Sequence, residues 1–329
     1  MITTYTKDFI PDDSGAHGLF ATDLPDRLTV GADVEIRLVY TAPAKGLSRG
    51  SKLRVTLPPG FHPVQDADPR RPGYVAAASG ARTAIFLRPD LNFGVTLESD
   101  LAGGEEVTLV YNPPGGAKKS VVTLVCYRDP VELACDVKPA GEETYRRIFQ
   151  RSIRLRPEKP HRIFLRVPSV VREGESFDLD INIRDEYDNI AEDFTGIIEL
   201  SSDRDILDFP ARIVLAAADR GSKTLKGACR FKISRVPDSG DDALLAEPRG
   251  YAVLPRPAEV RNCQRIHARA EGIAGASNYV LLAGEDMPRI YWGECHVHTR
   301  DFSDGMGTMA DAFHYMKRVS RFDFGGLGD

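Results

Sequence analysis

The sequence predicts a mainly β protein: two tandem antiparallel β-sandwich domains, followed by the opening of a parallel α/β array. Three observations carry this. Short segments in which apolar and polar residues alternate with period two recur roughly every 10–15 residues. The 329 residues include 29 glycines and 22 prolines, above the usual ~12% share, and many fall between those segments, where turns belong. Near residue 288 the pattern changes, and strand, loop, helix and strand follow within ~40 residues. At ~100–200 residues per domain the length fits two or three domains. The predicted boundaries are 1–157, 158–287 and 288–329.

In the first domain, residues 34–40 (VEIRLVY) alternate, and 53–57 (LRVTL) do so again before Pro58-Pro59-Gly60 ends the run. Further strands are predicted over 82–88, 93–98, 105–111 and 119–126. Residues 60–75 read as a long polar connection, and 140–150 (AGEETYRRIFQ) is the one stretch of this domain whose pattern admits a short helix. Arg151, Arg154 and Arg156 alternate with apolar residues, which predicts the solvated face of a strand.

The second domain opens on 162–168 (RIFLRVP), turns at Gly174-Glu175, and alternates strictly over 177–184 (FDLDINIR). Asp185-Glu186-Tyr187-Asp188-Asn189 follows, then Gly196-Ile197-Ile198-Glu199-Leu200. This order resembles bacterial immunoglobulin-like repeats, in which an alternating strand ends in a D-x-Y-x-N turn and a T-G-x-I/V-x-L strand follows. The resemblance implies a sandwich and says little about chemistry. Asp185, Asp188 and Asn189 are hard oxygen donors of the kind calcium takes. Asp and Asn also build such turns by bonding their own backbone. The missing EF-hand glycine and distal glutamate favour the turn.

Composition excludes several functions. Lys and Arg number 43 against 48 Asp and Glu, a formal charge of -5. With no basic stripe to neutralise phosphates, no nucleic-acid partner is expected. No run of ~18 apolar residues predicts a membrane span. The N-terminal MITTYTKDFIPDD lacks the basic-then-apolar form of a secretory leader, so a cytoplasmic location is expected. Cys126, Cys135, Cys229, Cys263 and Cys295 form neither a disulfide framework nor a zinc pair. Cys126 and Cys135 could face each other across a hairpin, but buried free thiols are the expectation.

The chemistry lies in the tail. His296-Val297-His298 sits within Tyr291-Trp292-Gly293-Glu294-Cys295-His296-Val297-His298-Thr299. In a strand, positions i and i+2 share a face, so both imidazoles could grip one cation such as zinc, manganese or iron. Asp304, in a turn marked by Ser303 and Gly305, could bring a carboxylate to the same point. Thr308 and Asp311 have the form of a capping box. Met309, Ala312, Phe313, Met316 and Val319 recur at helical spacing, and 322–327 reads as a short strand. The ligands would then lie at C-terminal strand ends, where such arrays place their sites. Trp292 is expected either to line a pocket or to pack in the core. His17, His62, His161, His267 and His314 are isolated and expected at the surface or in hydrogen bonds.

These residues resemble the opening of the PHP (polymerase and histidinol phosphatase) superfamily, in particular a branch with a long β-rich region before its PHP part. That branch opens Y-W-G-D-L-H-x-H-T, continues S-D-G-x-G-T and reaches a strand ending D-H. Here the matches are 291–299, then Ser303-Asp304-Gly305-Met306-Gly307-Thr308, then Asp323-Phe324 and Gly328-Asp329. Upstream, Ser277-Asn278 matches the branch's S-N-P, with Tyr279 in place of proline. The resemblance implies a distorted α/β barrel, here represented by its first βαβ piece. It implies divalent metal ions held by His296, His298 and Asp304, and hydrolysis of a small-molecule phosphoester. It assigns no catalytic residue beyond those ligands.

Glu294 and Cys295 depart from the branch's Asp and Leu. Asp329 falls one residue before the expected histidine, and the later ligands are missing from this sequence. With three ligands on a poorly braced loop, metal binding is expected to be weak, the site to be unfilled in this chain, and this chain alone to be inactive. The alternative is a β-sandwich interaction module whose PHP-like tail is a remnant.

Overall fold

The computed structural model describes residues 9–58, 60–88, 92–113, 130–235, 261–285, 287–299 and 308–328. The strand expected at 119–126, Cys126 and Asp304 lie outside the described residues. The protein is mainly β, as predicted, with several sheets and one short α-helix among the described residues. Two compact units meet in the chain between Arg156 and Pro157. Tail residues Ala312–Gly328, and the chain up to Val297, group with the second; His298, Thr299 and Thr308–Asp311 group with the first.

The first unit contains β1 (Phe9–Pro11), β2 (Leu19–Thr22), β3 (Arg27–Thr29), β4 (Ile36–Thr41), β5 (Lys52–Thr56), β6 (Val75–Ser79), β7 (Thr83–Arg88), β8 (Asn92–Leu97), β9 (Glu106–Tyr111), β10 (Val131–Lys138) and β11 (Tyr145–Arg156). One sheet runs β1-β11-β10-β5-β8-β7, with β3 also on β11; the other runs β2-β4-β9-β6. Period two places Ile36, Leu38 and Tyr40 of β4 inward. They share one core with Leu53, Val55, Phe93, Val95 and Leu133 of the facing sheet, consistent with a sandwich. The pairing is not wholly antiparallel: β1 and β3 both join the free edge of β11 in parallel.

The short helix that the pattern of 140–150 admits is absent, because Tyr145–Arg156 forms the long strand β11. Its pairing with β10 explains the misleading pattern. Cys135 faces Phe149, yet Asp136 faces Arg147, so Ile148 is an extra, bulged residue. A bulge breaks period-two alternation, leaving Tyr145, Ile148 and Phe149 at helix-like spacing. Beyond it, alternation returns, with Ile153 and Leu155 buried and Arg154 and Arg156 exposed, as expected.

Beside the bulge, a charge network crosses three strands. Asp136 is wholly buried. Its Oδ2 accepts from Arg54 Nε at 2.9 Å and its Oδ1 from Arg147 Nε at 2.8 Å. The two guanidiniums lie over aromatic rings, Arg54 over Tyr145 at 3.8 Å and Arg147 over Phe9 at 3.5 Å.

The second unit contains β12 (Arg162–Arg166), β13 (Val170–Arg172), β14 (Ser176–Arg184), β15 (Gly196–Ser202), β16 (Leu207–Asp208), β17 (Arg212–Leu215), β18 (Ser222–Phe231), β19 (Cys263–Gln264), β20 (Ile266–Ala270), β21 (Ile273–Ala276) and β22 (Val280–Ala283). The sheets are β12-β14-β18-β16, β17-β15-β20-β21 and β13-β22-β19. They share one core, built on Phe177, Leu179, Ile181 and Ile183 of β14, and Ile198 and Leu200 of β15.

The acidic turn carries the chain from β14 to β15, which lie in different sheets. The Asp185 carboxylate is buried and filled by N–H donors. Oδ1 accepts from the backbone of Tyr187 and of Asn189, each at 2.9 Å. Oδ2 accepts from the Glu158 backbone at 2.9 Å and from Asn189 Nδ2 at 2.8 Å. Asp188 adopts the left-handed conformation, with φ of 68°. This is the backbone-bonding turn, with Asp185 occupied by the protein itself.

Cys135, Cys229 and Cys263 are buried free thiols. Burial pushes all three up in pKa, Cys229 to about 12, so they stay protonated and unreactive near neutrality. No helix of the described residues is long and apolar enough to cross a membrane.

Candidate functional site

After Met287 the chain forms a small parallel pair, β23 (Gly293–Glu294) and β24 (Phe324–Gly325), with Gly293 opposite Phe324 and Glu294 opposite Gly325. Parallel neighbours need a crossover connection, and the described part of this one holds a helix, α1 (Met309–His314). Thr308 caps it reciprocally, as expected: Asp311 N donates to Thr308 Oγ1 at 3.1 Å, and Thr308 N donates to Asp311 Oδ2 at 2.9 Å.

The helix does not keep one apolar stripe. A π-helical turn follows at Tyr315–Val319, and its wider winding rotates the periodic face. Met316 and Val319 are buried, while Met309 and Phe313 turn outward. Ile290, Tyr291, Trp292, Phe322 and Phe324 are exposed as well. Trp292 therefore neither fills the core nor lines an enclosed pocket; the residue is 57% exposed, and Nε1 donates to Ser169 Oγ at 2.7 Å.

The strands are held by backbone proximity. A Cβ at Gly293 would sit 2.3 Å from the Phe324 carbonyl oxygen and 2.7 Å from its ring. Gly326 N donates to Glu294 O at 2.9 Å. A Cβ at Gly328 would come within 2.8 Å of Cys295 O and 3.2 Å of His296 Cα, so the chain leaving β24 passes directly along the start of the histidine motif. Gly293→Ala is expected to part the strands at a cost of about 1–3 kcal/mol. Amide exchange at Gly326 reads this, and unchanged protection there would refute it.

The histidines lie past the strand, not in it. β23 ends at Glu294, and residues 295–299 carry no ladder. The period-two argument for a shared face therefore does not apply to them. His296 is exposed and His298 half-buried. Glu294 Oε1 accepts from the backbone N–H groups of Cys295 and His296, each at 3.0 Å, so this carboxylate orders the backbone leading into the motif. Among the described residues no three His, Cys, Asp or Glu side chains are grouped to hold a metal ion. Asp304, the third expected ligand, lies outside the described residues. Elsewhere His17 pairs with Asp12 and His267 with Asp203, each at 2.5 Å. With Ser14 and His17 both bonding it, the Asp12 carboxyl is held down at about 2.

Asp323 ties the pair together. Its N–H donates to Trp292 O at 2.7 Å, and its Oδ2 accepts from Trp292 N at 2.8 Å. The same oxygen meets Arg166 Nη2 of β12 at 2.5 Å. Sequence reasoning used Asp323 as a motif match and missed Arg166. The available signal was an arginine on the outward row of a strand whose alternate residues, Ile163 and Leu165, are buried.

No protein-family model matches the chain, and no curated protein matches it. Solved structures resemble it only slightly. AvmM, which catalyses macrocyclization in alchivemycin A biosynthesis, is 12% identical over 49% of this chain and 97% of its own, with a TM-score of 0.27. The human F-spondin reeler domain is 10% identical over 44% and 96%, at 0.25. A marsupial T cell receptor is 10% identical over 79% and 63%, at 0.28. Likenesses this slight carry no argument about fold or function.

Proposed function

We propose that the chain carries the β-rich accessory region and first metal-ligand motif of a PHP-like, metal-dependent hydrolase acting on a small-molecule phosphoester. Its β-units are read as immunoglobulin-like sandwiches and its tail as the first βαβ piece of the barrel, in a cytoplasmic protein. The observation that supports this best is the position of His296, directly after the C-terminal end of β23, with the exit of β24 along its backbone. Parallel α/β folds gather their active-site residues at that end.

The donor set fits a borderline divalent cation such as zinc, manganese or iron: two imidazoles, His296 and His298, and the Asp304 carboxylate. An exposed His296 leaves the motif open to solvent. A bound metal supplies an activated water and charge stabilisation for a phosphoryl oxygen. This chain's own residues hold and orient. Glu294 fixes the backbone before His296, and Asp323 fixes the two strands relative to each other.

Titration with cobalt(II), followed by its visible absorption, tests the ligands. His296→Ala, His298→Ala and Asp304→Asn are each expected to weaken binding at least about tenfold. A wild-type affinity that all three variants leave unchanged sinks the reading. No metal-dependent turnover of a generic phosphoester is expected from this chain alone, and measurable turnover refutes that part.

One observation favours a second reading, an interaction module with a remnant tail. Ile197 and Val214 form an exposed apolar cross-strand pair beside a shallow cleft lined by Glu199, Arg212 and residues 269–274. Metal binding that ignores His296→Ala would move the weight to that reading.

A further inference from the structure

The outward row of β14 is buried where a surface strand should be wet. Its inward residues, Phe177, Leu179, Ile181 and Ile183, fill the core. The alternate residues should face solvent. Side-chain exposure instead falls from 39% at Asp178 to 19% at Asp180, and Asn182 is wholly buried. Arg184 is also buried. What covers them is the end of the tail helix.

Every hydrogen-bonding group of Asn182 is used. Its Nδ2 donates to Val319 O at 2.9 Å and to Arg318 O at 3.2 Å. Its Oδ1 accepts from Ser222 Oγ at 2.7 Å and from Arg321 Nη2 at 3.4 Å. Arg184 Nη2 also donates to Val319 O. The last carbonyls of a helix have no partner within it; here side chains of β14 supply one. A guanidinium at that end also suits the helix dipole.

The next residues dock on the same face. Arg321, left-handed at φ 57°, donates to Ser222 Oγ at 2.5 Å and Thr224 Oγ1 at 3.3 Å and lies 3.5 Å from Asp180. Two positions on, Asp323 meets Arg166. These partners form two adjacent cross-strand rows. Arg166, Asp180 and Thr224 are in register across β12, β14 and β18, and Asn182 and Ser222 are in register one row over.

We propose that this polar face is a cradle for the tail, and that Arg166, Asn182 and Arg184 are positioning residues that set the strand leading into His296. The positioning half rests on the metal reading above; the cradle itself does not. The second β-unit is then a working part of the metal-bearing piece, and its outward face recognises this chain's own helix end.

The test uses the full chain with Asn182→Ala and, because that variant removes a buried group, also Arg166→Ala with Arg166→Lys as the conservative rescue. Amide exchange over 312–328 is expected to speed up about tenfold in both alanine variants, with β14 core amides unchanged. Emission from Trp292, the single tryptophan, should become more open to acrylamide quenching. Arg166→Lys should restore both. Cobalt(II) affinity should fall about tenfold in the alanine variants at unchanged stoichiometry. Tail exchange as slow as wild type in both alanine variants overturns the cradle. Faster exchange with undiminished His296-dependent cobalt affinity overturns the positioning role. A wild-type chain with no His296-dependent cobalt binding removes the metal reading and the positioning role with it, while exchange and quenching still decide the cradle.

Discussion

Asp136→Ala is expected to destabilise the first unit by about 3–5 kcal/mol, the usual cost of leaving a buried charge without its partner. The Asp136 carboxylate lies between the Arg54 and Arg147 guanidiniums and bonds both. Removing it leaves two cations side by side, Arg54 almost wholly enclosed. The aromatic faces of Tyr145 and Phe9 offset only part of that. A buried ion network is not in itself strongly stabilising. Replacing Arg54, Asp136 and Arg147 together by Met, Leu and Met should therefore recover most of the loss. Urea unfolding followed by circular dichroism measures both. A single alanine variant within about 1 kcal/mol of wild type would show that water reaches the network.

The second large effect is Asp185→Ala, expected to cost the second unit about 3–5 kcal/mol. Four N–H donors converge on this carboxylate, and alanine leaves all four without that acceptor, the two from Asn189 in buried positions. Asp185→Asn keeps one acceptor oxygen and should cost roughly half as much. Because the donors are the protein's own, calcium should not raise the unfolding midpoint, nor a chelator lower it. A calcium-dependent midpoint that Asp185→Asn abolishes would reverse this account of the turn.

Much of the β architecture was legible because period-two alternation reports one-sided burial. Ile36, Leu38 and Tyr40 read correctly, and so did the strand of Phe177 to Ile183, since each packs one face on a core. Residues 145–150 suggested a helix, although 151–156 read correctly as a strand, because the Ile148 bulge is set by pairing with β10 and has no local signature. Alternation also could not say that the polar row of β14 is covered. Asp180, Asn182 and Arg184 look like a solvated face, and only the arrival of Val319 and Arg321 shows otherwise. In the tail, the capping box at Thr308 and Asp311 is local and was readable. The end of β23 before His296 was not, since strand length there follows the reach of β24. The brace from Arg166 to Asp323 joins residues far apart in sequence, with no local signature.

The polar character of the cradle bears on the order of synthesis. Ribosomes make chains from the N-terminus, so β12, β14 and β18 emerge and can fold before Val319 or Arg321 exist. During that interval the cradle has no occupant. An apolar docking face would then be an adhesive surface on a nascent chain, open to neighbours in the same polysome. Asn182, Arg184, Ser222 and Thr224 instead hold water until the helix end arrives, and exchange it for peptide carbonyls and a guanidinium. The unit can wait, with its polar face hydrated, for the segment it is shaped to receive.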